Sequence, residues 1–281
     1  SDVDPTTGQM TPRLLLECIK KNQIKKIKAI LTMYLGGFVE NLPEFFKIKK
    51  RFNCLLIEDA CHAFGAEYSF KKKMIKVGAC KHSDISTFSL HPLKPITTGE
   101  GGIVTTNNQF FATKIKSFRS HGIIRDPKFH WRYEVVNYGY NYRLSDINSS
   151  LGISQLKKID YFIKKRKKIF ENYKSKLNNY KNLINFPEYN KKNKSSYHLI
   201  LININFKKLK INKDIFLKYL LKNNIMSQFH YIPIYNFKIF KSKKMKLKNS
   251  EKYHSTTLSI PIYHSLKFRD QKYIIDKIKN F

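Results

Sequence analysis

Between Thr11 and Thr106 short apolar runs alternate with amphipathic stretches, and this alternation leaves the chain few folds to choose from. TPRLLLECIKKN (11–22) reads as a helix opened by Thr11, with Pro12 in its first turn. IKAILTMYLGG (27–37) reads as a buried strand ending in glycines, LPEFFKIKKRFN (42–53) as an amphipathic helix, and CLLIEDA (54–60) as a second apolar strand. ISTFSL (85–90) and GGIVTT (101–106) read as further strands, the latter leading into a helix in NQFFATKIKSFRSHG (108–122). Strands separated by helix-length crossovers pair in parallel. The pattern therefore predicts a largely parallel sheet covered by helices on both faces.

From Ser145 a helical pattern runs through SDINSSLGISQLKKIDYFIKKRKKIFENYKSKL as one long element of the kind that bridges two lobes. Beyond a polar linker (EYNKKNKSS, 188–196) come a strand (YHLILINI), a helix (DIFLKYLLKNN), two short strands (SQFHYIP and TLSIPIY) and a closing helix from Lys267 to Phe281. The second half thus reads as a smaller α+β lobe.

In 281 residues, 42% hydrophobic content is enough to bury a sizeable core. No apolar run approaches the roughly 20 residues that cross a bilayer, and SDVDPTTGQM lacks the charged and apolar regions of a signal peptide, so the expectation is a cytoplasmic protein. Cys18, Cys54, Cys61 and Cys80 do not form a disulfide framework, and Cys61, His62, Cys80 and His82 lack the paired short clips of a zinc site; no metal is expected. The net charge of +34 raises polyanion binding. Its lysines, however, are spread through helical tracts such as KKNQIKKIK, KKRKKIF and KSKKMKLK, with abundant Ile and Asn and no nucleic-acid recognition motif, so no specific nucleic-acid partner is expected.

Ligands of open parallel sheets sit beyond the carboxyl ends of the strands. Asp59 ends one expected strand with His62 three residues on; Ser89 ends another, followed by Lys94 between Pro92 and Pro95. A lysine on a stiff, poorly hydrated loop has a freed amine and is suited to chemistry. Taken singly, Asp59 also fits a helix cap and Lys94 a surface turn.

Together the segments EDACHAFGA, TFSLHPLKPITTGEGG and NYGYNYRLSDINSSLGISQLKKID resemble the DegT/DnrJ/EryC1/StrS sugar aminotransferases, pyridoxal-phosphate enzymes of the aspartate aminotransferase fold, and the resemblance covers essentially the whole chain. It implies an α/β fold of fold type I, with the C-terminal part of a large cofactor-binding domain in residues 1–165 and a small domain in 166–281. Lys94 falls on the family's cofactor-anchoring lysine, Asp59 on the acid that keeps the pyridine nitrogen protonated, and His62 on a side chain near the ring's 3-oxygen. Ser89 falls on the phosphate-binding hydroxyl and Asn141 on the asparagine lent by a neighbouring subunit, which implies a homodimer. Gln228, His230 and Tyr231 match a segment that contacts nucleotide-sugar substrate. The implied reaction is ping-pong amino transfer from an amino acid, glutamate by family habit, to the C4 keto group of a UDP-linked 4-keto-6-deoxy sugar.

Two other classes stand beside it: a nucleotide-sugar dehydratase on the same scaffold, in which histidine replaces the lysine, and a basic binding protein without catalysis. In one respect the sequence departs from the family. Members usually begin well upstream, with a helix N-terminus that cradles the phosphate, whereas this sequence would open inside a strand of the large lobe. The expectation is a truncated member that binds cofactor weakly.

Overall fold

The computed structural model describes residues 1–240 and 246–281; residues 241–245 of the KSKKMKLK tract lie outside it. The first eleven residues form turns and no strand, which corrects the expected strand start. Asp4 Oδ1 accepts from the backbone N–H groups of Thr6 and Thr7 at 2.9 Å, a local alternative to sheet pairing.

The alternation then appears largely as read. Helix α1 (Pro12–Lys21) is capped by Thr11 Oγ1; strand β1 (Ala29–Met33) is followed by helix α2 (Leu42–Phe52) and strand β2 (Leu55–Asp59). Strand β1 is shorter than expected, because the chain coils into a 3-10 turn at Leu35–Gly37 whose glycines take positive φ. The hairpin of β3 (Glu67–Phe70) and β4 (Lys73–Lys76) precedes β5 (Ile85–Ser89) and β6 (Gly102–Thr105). The sheet order is β1-β2-β5-β6, with β1, β2 and β5 parallel and β6 antiparallel to β5. The twelve residues between β5 and β6 form the Lys94 loop and hold no crossover helix, and β6 returns antiparallel to β5.

Helix α3 (Gln109–Arg119) leads to a hairpin of β7 (Ile123–Arg125) and β8 (Tyr133–Val135). The long helix read from Ser145 is two helices, α4 (Asp146–Leu156) and α5 (Ile159–Leu177), interrupted at Lys157–Lys158. Packing separates them: α4 buries no side chain, whereas α5 buries Phe162, Arg166, Ile169, Phe170, Tyr173 and Leu177 along one stripe.

The remaining residues build an antiparallel sheet of β9 (Ile184–Asn185), β10 (Ile200–Ile204) and β11 (Thr257–Ile260), in the order β11-β10-β9. Around it lie α6 (Phe206–Leu209), α7 (Lys213–Lys222), α8 (Lys248–Thr256) and α9 (Phe268–Lys279). The expected strand at 227–233 is absent: only Gln228 pairs, with Ser259, and Pro233 lacks the N–H that a ladder needs.

Two apolar cores result. One gathers Ile30, Phe45, Leu56, Tyr68 and Phe88 under the parallel strands; the other gathers Tyr173, Ile200, Ile202, Phe216, Leu220 and Leu258. Phe162 of α5 also packs on Leu90 and Ile96, so one helix touches the sheet's carboxyl-end loop and the second core. Among the described residues no helix is long and apolar enough to cross a membrane.

Candidate functional site

Period-two alternation along β2 decides which acid faces the site. Glu58 points into the core at 1% exposure, where it accepts from Tyr34 Oη at 3.0 Å, from Ser86 Oγ at 3.0 Å and from Ser83 Oγ. Asp59 points the other way, half-buried at the strand's carboxyl end, and its Oδ1 accepts from Cys61 N–H at 3.1 Å.

The Lys94 loop is fixed at its base. Leu90 N–H donates to Gly101 O at 2.9 Å and Thr98 N–H to Leu90 O at 3.0 Å, while Lys94 N–H closes a turn on His91 O at 2.9 Å. Leu90 and Ile96 press on Phe162 from below. The ammonium is half-buried, and no described carboxylate comes within ion-pair distance. Burial lowers its pKa; the nearby Cys61 and Asp59 only partly offset this. Cys61 is pushed up to about 11, by burial first and by its hydrogen bond to Asp59 second.

His62 is 2% exposed, and burial, reinforced by Lys94 and His230, holds its pKa down to about 3. It accepts from Gly36 N–H on Nδ1 at 3.3 Å, and its Nε2 lies 3.3 Å from Tyr231 Oη. His198, at the entry to β10, packs on it with ring centroids 4.4 Å apart. Burial and Lys94 likewise lower His230 to about 4, and its Nδ1 is buried without a partner among the described residues. The site is thus a partly desolvated amine beside a strand-end carboxylate, with imidazoles kept neutral around it.

The structure therefore brings Lys94, Asp59, His62, His230 and Tyr231 together. Ser89 ends β5 beside the loop, its Oγ accepting from His91 N–H at 3.3 Å. Gln228 is exposed, its Oε1 accepting from Phe229 N–H at 2.9 Å, and makes no described side-chain contact with this group. Asn141 is exposed in a bridge to Ser120 and makes no described side-chain hydrogen bond with these residues. Sequence reading missed Cys61 as a neighbour of Lys94 and missed His198 altogether; the Cys-His pair in EDACHA carried a signal for the first, and nothing local marked the second.

A partly desolvated amine with a lowered pKa near a half-buried strand-end carboxylate, on a two-lobed α/β frame, is an arrangement suited to carbonyl–amine chemistry. The chain belongs to the DegT/DnrJ/EryC1/StrS aminotransferase family, whose profile matches residues 1–279. It is 38% identical over 256 residues to a UDP-4-amino-4,6-dideoxy-N-acetyl-beta-L-altrosamine transaminase of Campylobacter jejuni, covering 90% of this chain and 65% of that protein. A transaminase of the same name from Helicobacter pylori is 34% identical over 90% of this chain and 66% of its own length. The fold is similar to that of Helicobacter pylori PseC, an aminotransferase involved in the biosynthesis of pseudoaminic acid, with a TM-score of 0.87 and 28% identity over 100% of this chain and 72% of that one. The chain thus spans about two thirds of the length of these relatives.

The residues present fit pyridoxal phosphate, the cofactor of this family. Among the described residues the half-buried Lys94 amine has no ion-pair partner and the buried Nδ1 of His230 has no hydrogen-bond partner, while Asp59 stands at the strand end held by Cys61 N–H.

Proposed function

We propose that the chain carries the lysine half of a pyridoxal-phosphate aminotransferase site acting on a UDP-linked 4-keto-6-deoxy sugar, with an amino acid such as glutamate as donor. The observation that carries this reading is Lys94, half-buried on a pinned loop near Asp59 with no ion pair among the described residues. When bound, the cofactor supplies an electron sink for the carbon losing or gaining the amino group. Lys94 Nζ would hold it, and the same amine would move the proton at the donor's Cα. Asp59 holds a proton on the ring nitrogen, which an amide could not do. His62, kept neutral, would lie near the ring, and Ser89 would offer a hydroxyl to the phosphate, joined in a homodimer by Asn141 of the partner subunit. Gln228, His230 and Tyr231 would contact the nucleotide-sugar substrate.

The relatives' names support the sugar, and the lysine disfavours the dehydratase alternative. We assign residues 1–165 to the large domain and 166–281 to the small one, and the cytoplasm as the compartment. Titration with pyridoxal phosphate tests the reading: a visible absorption band should appear, and Lys94→Ala should abolish it. A chain without such a band, or a band that survives Lys94→Ala, overturns the proposal in favour of a non-catalytic basic binding protein.

A further inference from the structure

The hydrogen bonds of His62 fix which ring nitrogen carries its proton. Gly36 N–H donates to Nδ1, so Nδ1 presents a lone pair and the hydrogen resides on Nε2. Nε2–H then donates to Tyr231 Oη, which leaves the Tyr231 O–H free to donate elsewhere. Burial first, then the nearby Asp59 and Cys61, raises the pKa of that phenol above its ordinary value. Both bonds depend on the plane of the His62 ring, since a half-turn about Cβ–Cγ would break each of them.

His198 stands against that turn. Its ring lies 4.4 Å from that of His62, tilted by 52°, in a position 6% exposed. Its own Nδ1 is buried with no partner among the described residues, so hydrogen bonding at Nδ1 does not account for the ring's placement. The backbone that carries it is clamped instead: Arg166 Nη1 donates to the carbonyls of Tyr197 and His198 at 3.4 and 3.3 Å. Ser196 Oγ, two residues earlier, donates to His62 O at 2.5 Å, holding the two segments in register.

We propose that His198 is a positioning residue: its ring holds the plane of His62 so that Nε2–H fixes the Tyr231 hydroxyl, whose own hydrogen is thereby aimed at an acceptor oxygen of the bound ligand. Because this role presupposes the amino-transfer site proposed above, its decisive readout is taken on the cofactor-free protein. Nitrogen-15 NMR of the histidine rings, with His62 assigned through His62→Gln, should show a single Nε2–H tautomer in the parent chain. His198→Ala should give a mixture of tautomers, and His198→Phe, which keeps a flat ring, should restore the single one. In turnover assays His198→Ala should lower kcat about tenfold, the loss of one oriented hydrogen bond, with the donor KM little changed. A single tautomer in His198→Ala, or mixed tautomers in His198→Phe, would overturn the proposal. If the Ala chain does not fold, the Phe variant decides alone. An enzymatically silent parent chain still yields the tautomer result, so failure of the proposed function and failure of the positioning role remain separable.

Discussion

At the scale of residues, Asp59 and Glu58 show how adjacent acids take different tasks by alternation: one is locked in a core network, the other faces the site. Asp59→Asn should leave cofactor capture by Lys94 intact while lowering turnover by about 10²-fold or more, because a general acid–base step loses its charge partner. Near-parental kcat in that variant would reduce Asp59 to a turn cap. The neutral imidazoles predict a pH response. His62 falls from 6.5 to about 3 and His230 from 6.5 to about 4 in the folded chain, so the unfolded chain binds more protons across those intervals. Stability from these groups is complete above pH 6.5 and is lost as pH falls toward the folded values. Each group contributes a slope of up to about 1.4 kcal/mol per pH unit, so denaturant midpoints should drop steeply between neutrality and pH 4, and less so in His62→Gln. Lys94, Asp59 and His62 were legible as candidates because each lies at or shortly after the end of an apolar strand, and only the family resemblance suggested roles for them. The sequence could not disclose His198, whose neighbour lies in the other half of the chain and meets it only through tertiary packing.

Among the elements, the turn after β1 is the most exacting. Gly37 has φ +90°, and a Cβ there would lie 2.7 Å from His62 O and collide with Ser196 Oγ. Gly37→Ala should cost about 2 kcal/mol or more and blunt the site as well, since the same turn carries the Gly36 N–H that sets His62. A chemical denaturation curve that overlays the parent's would contradict this. The β/α alternation was legible because strand and helix periods differ. The β3–β4 hairpin was not: its turn residues Lys71 and Lys72 take φ of 47° and 63°, a geometry that Asn-Gly normally announces and two lysines conceal. The break between α4 and α5 was equally silent, having neither glycine nor proline, and arises from what each half packs against.

For the molecule as a whole, the dominant fact is an uncovered apolar surface. Strand β6, helices α3 and α4 and the β7–β8 hairpin bury almost nothing: Ile103, Val104, Phe118, Trp131 and Val135 are exposed, Ile147 is 82% exposed, and Tyr138 in the loop before α4 is exposed too. So large an apolar band marks an interaction surface. In keeping with a homodimer, sedimentation should give a mass above that of the 33.3 kDa chain, and the double variant Ile147→Lys, Ile153→Lys should return it toward the monomer. A monomer at every concentration would count against the dimer. That band sits on a molecule of net charge +34, which sets two forces against each other. In dilute buffer, like-charge repulsion keeps copies apart; added sodium chloride shortens its range to about 8 Å at 0.15 M while leaving the apolar attraction intact. Association should therefore strengthen as ionic strength rises, opposite to an interface built on ion pairs, and sulfate should drive it further than chloride at equal ionic strength.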